Sequence, residues 1–295
     1  IRVWGTVGFI VAMWATNFIT KEWGLGYSIK ASFILSAIFA IFLALFSFAF
    51  LPTVKTKAKT TGKKKTWIEQ LGLEAFVLFK QKRMAIFFIF SLMLGAALQL
   101  TNAYGDSFLQ DASIFPKGEL INNFSTIILS VSQISETLFI LTIPFFMKRF
   151  GIKNVMLFSM VAWVLRFALF GLADNSILGF TLIIASCIIY GMAFDFFNIS
   201  GALFVEQNTD PSIQSSAQGV FMLMNNGIGA VLGNIIAGQV IVKWFEAPVT
   251  HVKDWHGIWL AFAGYALVVT ILFALIFKEK HTVQTSKYKN ETLYQ

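Results

Sequence analysis

The sequence predicts an all-α integral membrane protein, and composition and hydropathy are the observations behind that prediction. Of the 295 residues, 57% are hydrophobic and 13% are charged. Soluble domains are about 45–50% apolar and about 25% charged. The mean hydropathy of +0.71 and the 33 phenylalanines point the same way, because so short a soluble chain cannot bury this much apolar surface. The single cysteine excludes an internal disulfide, so packing within lipid has to stabilise the fold.

Eight stretches are long and apolar enough to cross a bilayer as helices. A spanning helix needs about 20 mostly apolar residues, because the hydrocarbon core is about 30 Å thick. None of the stretches shows the ten-residue alternation of an outer-membrane barrel. The predicted spans are residues 2–19, 32–51, 84–104, 123–147, 155–173, 178–205, 220–242 and 257–277.

The connections between these spans differ in positive charge according to the side of the membrane. If the first helix starts in the cytoplasm, the inside segments 52–83, 148–154, 206–219 and 278–295 carry sixteen of the 23 Lys and Arg, and the outside segments carry five. The positive-inside rule therefore predicts that the long loop and both chain ends are cytoplasmic. The net charge of +8 is thus explained by the orientation of the chain in the membrane and does not indicate a nucleic-acid partner.

The long loop divides the chain into a pair of helices and a group of six. It has a basic run at residues 55–65, followed by a predicted amphipathic helix at 66–80 with Trp67, Leu71 and Leu78 near one face, lying on the membrane surface. Two plus six is expected of a transporter with six helices in each half that has lost its first four. The chain also begins without Met, and we expect an N-terminal truncation. The predicted units are residues 1–52 (the end of the N-terminal half), 53–83 (linker), 84–278 (C-terminal half) and 279–295 (tail).

Polar side chains within the spans are the candidate functional residues, because ionisable groups are costly at bilayer depth. Helical spacing puts them on shared faces, and buried amides face either a cavity or a neighbouring helix. The alternative roles are a cytoplasmic anchor for the first arginine, helix–helix contacts for the amides and a structural role for the first acid. The faces are Arg2 with Thr6 and Phe9, Gln99 with Asn102, and Gln133 with Glu136.

The sixth span carries an acid among aromatic rings, Asp195 between Phe194 and Phe196. Desolvation disfavours the charged form of a carboxyl group, which suits a proton carrier. The competing interpretation is a buried salt bridge between Asp195 and Arg166 of the preceding span.

Other motifs exclude several classes of protein. No Cys, His and carboxylate cluster has metal-ligand spacing, and no catalytic triad, P-loop or dinucleotide fingerprint is present. An ATP-driven pump or a membrane enzyme would need one of these. Gly229 and Gly233, four residues apart in the seventh span, predict close helix packing.

Five segments closely resemble the nucleoside:proton symporter family of the major facilitator superfamily, the group of bacterial nucleoside and xanthosine permeases. They are IRVWGTVGF (1–9), KRMAIFFIF (82–90), SQISETLF (132–139), FGIKN (150–154) and FDFFNISG (194–201). The resemblance extends over nearly the whole chain and includes the unusual polar residues within the spans.

The resemblance implies a major facilitator fold with helices 5–12 of twelve present, and import of a nucleoside together with a proton by alternating access. It implies no cofactor beyond the proton gradient, no nucleic-acid partner, and a monomer in the lipid of a bacterial inner membrane. Phe9 and Phe194 would stack the base, and Asp195 is expected to carry the proton, with Glu136 as the alternative. The substrate-binding residues it implies are Arg2, Thr6, Phe9, Gln99, Asn102, Gln133, Glu136, Phe194 and Asp195.

Two other functions are consistent with the residues. One is symport of a sugar or another polar solute on the same fold. The other is a membrane receptor or scaffold that transports nothing, although a scaffold has no need of so many polar side chains within its spans.

Overall fold

The computed structural model describes residues 2–22, 29–51, 67 and 72–278. These residues are almost entirely helical, and the prediction of an all-α membrane protein is confirmed. The α-helices are α1 (Arg2–Glu22), α2 (Ile29–Phe50), α3 (Lys82–Leu109), the short α4 (Leu120–Asn123), α5 (Ser125–Gly171), α6 (Ile177–Gln207), α7 (Gln214–Trp244) and α8 (Trp255–Ile276).

Every predicted span coincides with a helix, although one helix accounts for two spans. Within the described residues, six helices are long and apolar enough to cross a membrane: α2, α3, α5, α6, α7 and α8. Helix α5 has 47 residues and covers the fourth and fifth predicted spans. Helix α1 has 21 residues, and its side chains are described at positions 4–18.

A sharp break at Gly151 divides α5 into two arms, residues 125–150 and 152–171. Gly151 has φ 76° and ψ 169°, a conformation open to glycine and costly for residues with a Cβ. The sequence analysis placed a loop at residues 148–154, so the predicted loop is reduced to a single residue. The two arms therefore form a tight helical hairpin, and the second arm packs behind the first.

Helix α7 contains two π-helical segments, Leu223–Ile228 and Ala237–Ile241. Its glycines contact α3 backbone to backbone: a Cβ built at Gly229 would lie 2.4 Å from the carbonyl oxygen of Leu92, and one at Gly233 would lie 2.5 Å from Cα of Ala96. The predicted close packing at Gly229 and Gly233 is thus confirmed.

The segment before α3 differs from the predicted amphipathic helix on the membrane surface. Its described part is a 3-10 helix, Leu73–Lys80, in which Ala75 and Leu78 are buried against the protein. Ser216 at the start of α7 donates a hydrogen bond to Glu74 (3.4 Å). Leu78 therefore packs in the protein core, and not on lipid as expected. The basic run, Leu71 and the C-terminal tail lie outside the described residues.

Contacts between α1, α5 and α6 set the relative heights of these helices. The indole of Trp14 donates to the hydroxyl of Ser130 at 2.8 Å, which connects α1 to the first arm of α5. Gly191 of α6 lies against the backbone of Ser135 in the same arm. Because α1 runs antiparallel to this arm and α6 runs parallel to it, residues near 9, 135 and 191 lie at one level.

Candidate functional site

A cavity of about 750 Å³ lies between α1 on one side and α3, α5, α6 and α7 on the other. Its volume is within the range of small-molecule sites, about 300–1,000 Å³. Seven of the nine predicted binding residues line it: Thr6, Phe9, Gln99, Asn102, Gln133, Glu136 and Phe194. The backbone of Arg2 is in α1, but its side chain lies outside the described part of the structure.

Two polar stripes line the cavity, and both follow from helical periodicity. Gln99 and Asn102 project from α3, where the Asn102 amide donates to the Gln99 side chain at 3.5 Å. Gln133 and Glu136 project from the first arm of α5. Glu136 is 6% exposed, so water reaches this carboxyl group only through the cavity.

A buried arginine on the second arm of α5 reaches between three helices to the cavity wall. Arg166 donates from Nε to the hydroxyl of Thr101 (3.2 Å), and from Nη1 to the hydroxyl of Ser132 (3.3 Å) and the carbonyl of Ser186 (2.9 Å). Within the described residues its contacts do not include an ion pair with Asp195, so the alternative salt bridge is not formed. Arg166 therefore links α3, α5 and α6 behind the cavity.

Aromatic rings form one end of the cavity. Tyr190 and Phe194, one turn apart on α6, stack with their centroids 5.6 Å apart and their planes inclined by 19°. The guanidinium of Arg166 lies 4.4 Å from the centre of the Tyr190 ring. Phe9 enters the same cavity from α1 and is 54% exposed.

Asp195 lies behind the cavity wall. It is completely buried in α6 beside Phe196 and Phe197, which are 0% and 1% exposed. Its neighbour Phe194 is the residue that faces the cavity, because one step along a helix turns the side chain by about 100°. The expectation that Asp195 lines the substrate site therefore differs from its position in the structure.

Among the wall residues that the sequence analysis did not assign to the site are Asp106, Arg166, Tyr190 and Asn226. Asp106 was missed because α3 was expected to end at residue 104, whereas it continues to Leu109. The spacing of Tyr190 and Phe194, i and i+4, was a signal that could have found the tyrosine. No local signal distinguishes a cavity-lining arginine from one buried in the core.

Asn226 belongs to the first π-helical segment of α7, which places consecutive amides in different surroundings. Asn226 faces the cavity, whereas Asn225 is 0% exposed and donates to the side chain of Asn198 in α6 at 2.9 Å. π-Helical turns are rare and often occur at functional sites. Within this segment Asn226 lines the cavity, and the preceding residue, Asn225, joins α7 to α6.

Comparisons with known proteins agree with this arrangement. The family model described as "Nucleoside H+ symporter" matches residues 1–282. The nucleoside permease NupG of Escherichia coli is 49% identical over 285 residues, which cover 95% of this chain and 65% of the permease. The xanthosine permease of the same organism is 51% identical, over 99% of this chain and 68% of that protein. The chain thus spans about two thirds of the length of these relatives.

Solved structures show the same likeness. The crystal structure of the nucleoside transporter NupG superposes with a TM-score of 0.78 at 48% identity, covering 95% of this chain and 67% of that chain. The structure of a point mutant of NupG gives a TM-score of 0.82 at 47% identity, covering 94% of this chain and 67% of that chain. The helices of the present chain therefore have the major facilitator arrangement, and the chain belongs to the nucleoside H+ symporter family.

Proposed function

We propose that this protein imports nucleosides together with protons, by alternating access around the cavity between α1 and the α3–α7 group. The observation that carries the proposal is the composition of the cavity wall, in which stacked aromatic rings adjoin two stripes of amides and a carboxyl group. A nucleoside offers complementary chemistry, since its base has a flat π-face and its ribose has hydroxyl donors. The family and the permease names of the relatives support the same substrate class.

The aromatic end of the cavity is suited to the base. Phe9 and Phe194 are the rings that stack it in this proposal, with Tyr190 supporting Phe194 from behind. Gln133 and Glu136 lie at the same level, where they bond to the edge of the base or to the adjacent ribose hydroxyls. Gln99 and Asn102 from α3, and Thr6 and Arg2 from α1, complete the proposed set of substrate ligands.

For the proton we propose Asp195, with Glu136 mainly a substrate ligand. Asp195 is fully buried next to aromatic rings, directly behind the wall residue Phe194. Removing a carboxyl group from water penalises its charged form. When the two halves of a transporter rock, the packing around α6 is altered. In this proposal, that alteration changes the protonation of Asp195. Asp195 is in this proposal a proton carrier that acts behind the wall, and not a direct ligand of the substrate.

The test is uptake of labelled uridine by cells that lack other nucleoside transporters and express the protein from its native gene. Wild-type cells should concentrate uridine, and a protonophore should abolish the accumulation. Asp195→Asn should bind uridine but fail to concentrate it, whereas Glu136→Gln should weaken binding and keep protonophore-sensitive transport. If Asp195→Asn still concentrates uridine, the assignment of the proton is wrong and Glu136 becomes the carrier. Competition by a sugar without a base would contradict the substrate class.

We further propose the orientation and the division into halves. The linker and the C-terminus are cytoplasmic, and α1 and α2 belong to a different half from α3–α8. The protein acts as a monomer in a bacterial inner membrane, with protons and the nucleoside as its partners and no cofactor. Single cysteines introduced into the 110–119 loop and the 208–213 loop test the orientation, because the native Cys187 is buried. A membrane-impermeant thiol reagent added to intact cells should label the first loop only.

A further inference from the structure

One polar group on the cavity wall, the amide of Asn226 in α7, is not among the residues proposed to bind the substrate. Its side chain is exposed and lines the cavity. A polar group that a ligand removes from water without bonding to it weakens binding. The position of this amide relative to the proposed base site therefore decides whether it is a substrate ligand.

The backbone next to Asn226 touches α3 one helical turn from Gln99. A Cβ built at Gly95 of α3 would lie 1.9 Å from the carbonyl oxygen of Asn225. Gln99 follows Gly95 by four residues, which is about 6 Å along the helix axis. Gln99 also lines the cavity. Asn226 and Gln99 therefore lie close together on the cavity wall.

A chain of side-chain hydrogen bonds joins Asn226 to Phe194, the ring of α6 proposed to stack the base. Asn198, one turn after Phe194, donates to the carbonyl oxygen of Phe194 at 2.8 Å. The side-chain oxygen of Asn198 accepts from Asn225 at 2.9 Å, and the Asn225 amide also donates to the Asn226 oxygen at 3.4 Å. The chain therefore ties Asn226 to the helix turn that carries the stacking ring.

The amide of Asn226 keeps a donor and an acceptor position available. Its nitrogen lies 3.3 Å from the sulfur of Met222, and its oxygen accepts the 3.4 Å bond from Asn225. A side-chain amide has two N–H donors and an oxygen with two lone pairs, so one position of each kind is left after these contacts with described residues. Both contacts are also weak, since a thioether is a poor acceptor and 3.4 Å exceeds the usual length of a hydrogen bond.

We propose that Asn226 is a further substrate-binding residue, whose amide bonds to the edge of the nucleoside base. A base stacked on Phe194 leaves its edge free for side chains of neighbouring helices. On uracil this edge carries a carbonyl next to an N–H, which match the donor and the acceptor of one amide, as in the pairing of Asn with adenine. Ribose hydroxyls are donors, and the carboxylate of Glu136 suits them better than a neutral amide does.

This inference rests on the proposed nucleoside substrate and adds a residue that determines specificity for the base. Asn225 is a positioning residue, because its buried side chain holds the Asn226 amide and does not line the cavity.

The competing explanation is that Asn226 only supports the π-helical segment. Two variants remove the amide: Asn226→Ala, and Asn226→Leu, which keeps most of the side-chain volume. The control is Asn234→Ala, which removes an amide of the same helix that does not line the cavity. Membranes are prepared from cells that lack other nucleoside transporters and express each variant from the native gene. Uridine binding and the melting temperature are measured for every variant.

Three derivatives of uridine locate the contact. In 3-methyluridine the base N–H is blocked, and 4-deoxyuridine lacks the adjacent base carbonyl. In 2′-deoxyuridine only the ribose is changed, so it serves as the control ligand.

Both Asn226 variants should weaken uridine binding roughly five- to 150-fold, the effect of losing a hydrogen bond from a desolvated site. The loss should be equally large for 2′-deoxyuridine. It should be smaller for 3-methyluridine and 4-deoxyuridine, because these ligands already lack part of the contact in the wild type. Asn234→Ala should keep wild-type affinity for all four ligands.

Unchanged uridine affinity in the Asn226 variants would overturn the inference, and so would equal losses for all four ligands or an equal loss in Asn234→Ala. A loss that disappears only with 2′-deoxyuridine would place the contact on the ribose and overturn the assignment to the base. A lower melting temperature with unchanged affinity would show a structural role instead. Failure of the wild type to bind uridine would refute the proposed function.

Discussion

Replacing Gly95 with alanine tests whether close packing of α3 on α7 holds the cavity together. A Cβ built at Gly95 would lie 1.9 Å from the carbonyl oxygen of Asn225 and 2.7 Å from its carbonyl carbon. Both are backbone atoms, so no flexible side chain can move aside. Asn225 starts the amide pair of the π-helical segment, and its neighbour Asn226 lines the cavity. Strain at Gly95 is thus transmitted directly to the cavity wall.

The size of the effect follows from this overlap. Ordinary contact begins near 3.4 Å, so the two helices must separate locally by about 1.5 Å. A radial gap of 0.5–1 Å already forfeits about a quarter to a half of the dispersion energy of the contacts concerned. Overpacking of this kind costs about 1–3 kcal/mol. The melting temperature should fall by about 2–4 °C for each kcal/mol.

The matched control is Gly264→Ala in α8, where an added Cβ meets no atom within 4 Å. It should leave the melting temperature unchanged or raise it, because alanine favours a helix over glycine by about 1 kcal/mol. Both variants are purified in detergent, and melting is followed by size-exclusion chromatography with fluorescence detection. If Gly95→Ala melts with the wild type, or Gly264→Ala melts equally early, the packing argument is refuted.

Two further predictions concern the cavity and the loop beyond α3. Gln133→Ala should weaken uridine binding roughly five- to 150-fold at a normal protein level, since a desolvated hydrogen bond is lost. The control is Gln239→Ala, which removes an exposed amide outside the cavity and should leave uridine affinity normal. Equal uridine affinity of the two variants would contradict the prediction. At Asp111, burial raises the pKa of the carboxyl, but hydrogen bonds from Trp255 (2.7 Å) and a nearby serine together hold it below the ordinary 3.8. Ionised Asp111 therefore stabilises the fold at every pH above 3.8, and this stabilisation is lost as the pH falls through the lower folded-state pKa. The difference in melting temperature between wild type and Asp111→Asn should be constant from about pH 7 to 5 and should become smaller below pH 3.8. If the difference stays constant down to about pH 3, ionised Asp111 does not stabilise the fold.

Helical periodicity explains why most of the candidate site could be predicted. Residues three or four apart on one helix share a face, so Gln99 with Asn102, and Gln133 with Glu136, had to point in common directions. Their polarity within apolar spans then indicated a cavity. The membrane spans could also be predicted from the sequence, because bilayer thickness sets the length of a spanning helix. Helix ends were harder to predict, and the five extra residues of α3 (105–109) that carry Asp106 were missed.

The sequence by itself determined the all-α membrane fold, the family and the faces on which the polar residues lie, because each depends on composition or on contacts within a single helix. Only the tertiary structure decided what each face meets. Asp195 lies behind the wall while Phe194 lines it, and Arg166 bonds to groups from α3, α5 and α6. These partners are up to 65 residues apart in sequence, and helical spacing carries no information about which helices pack together or how they are rotated about their axes.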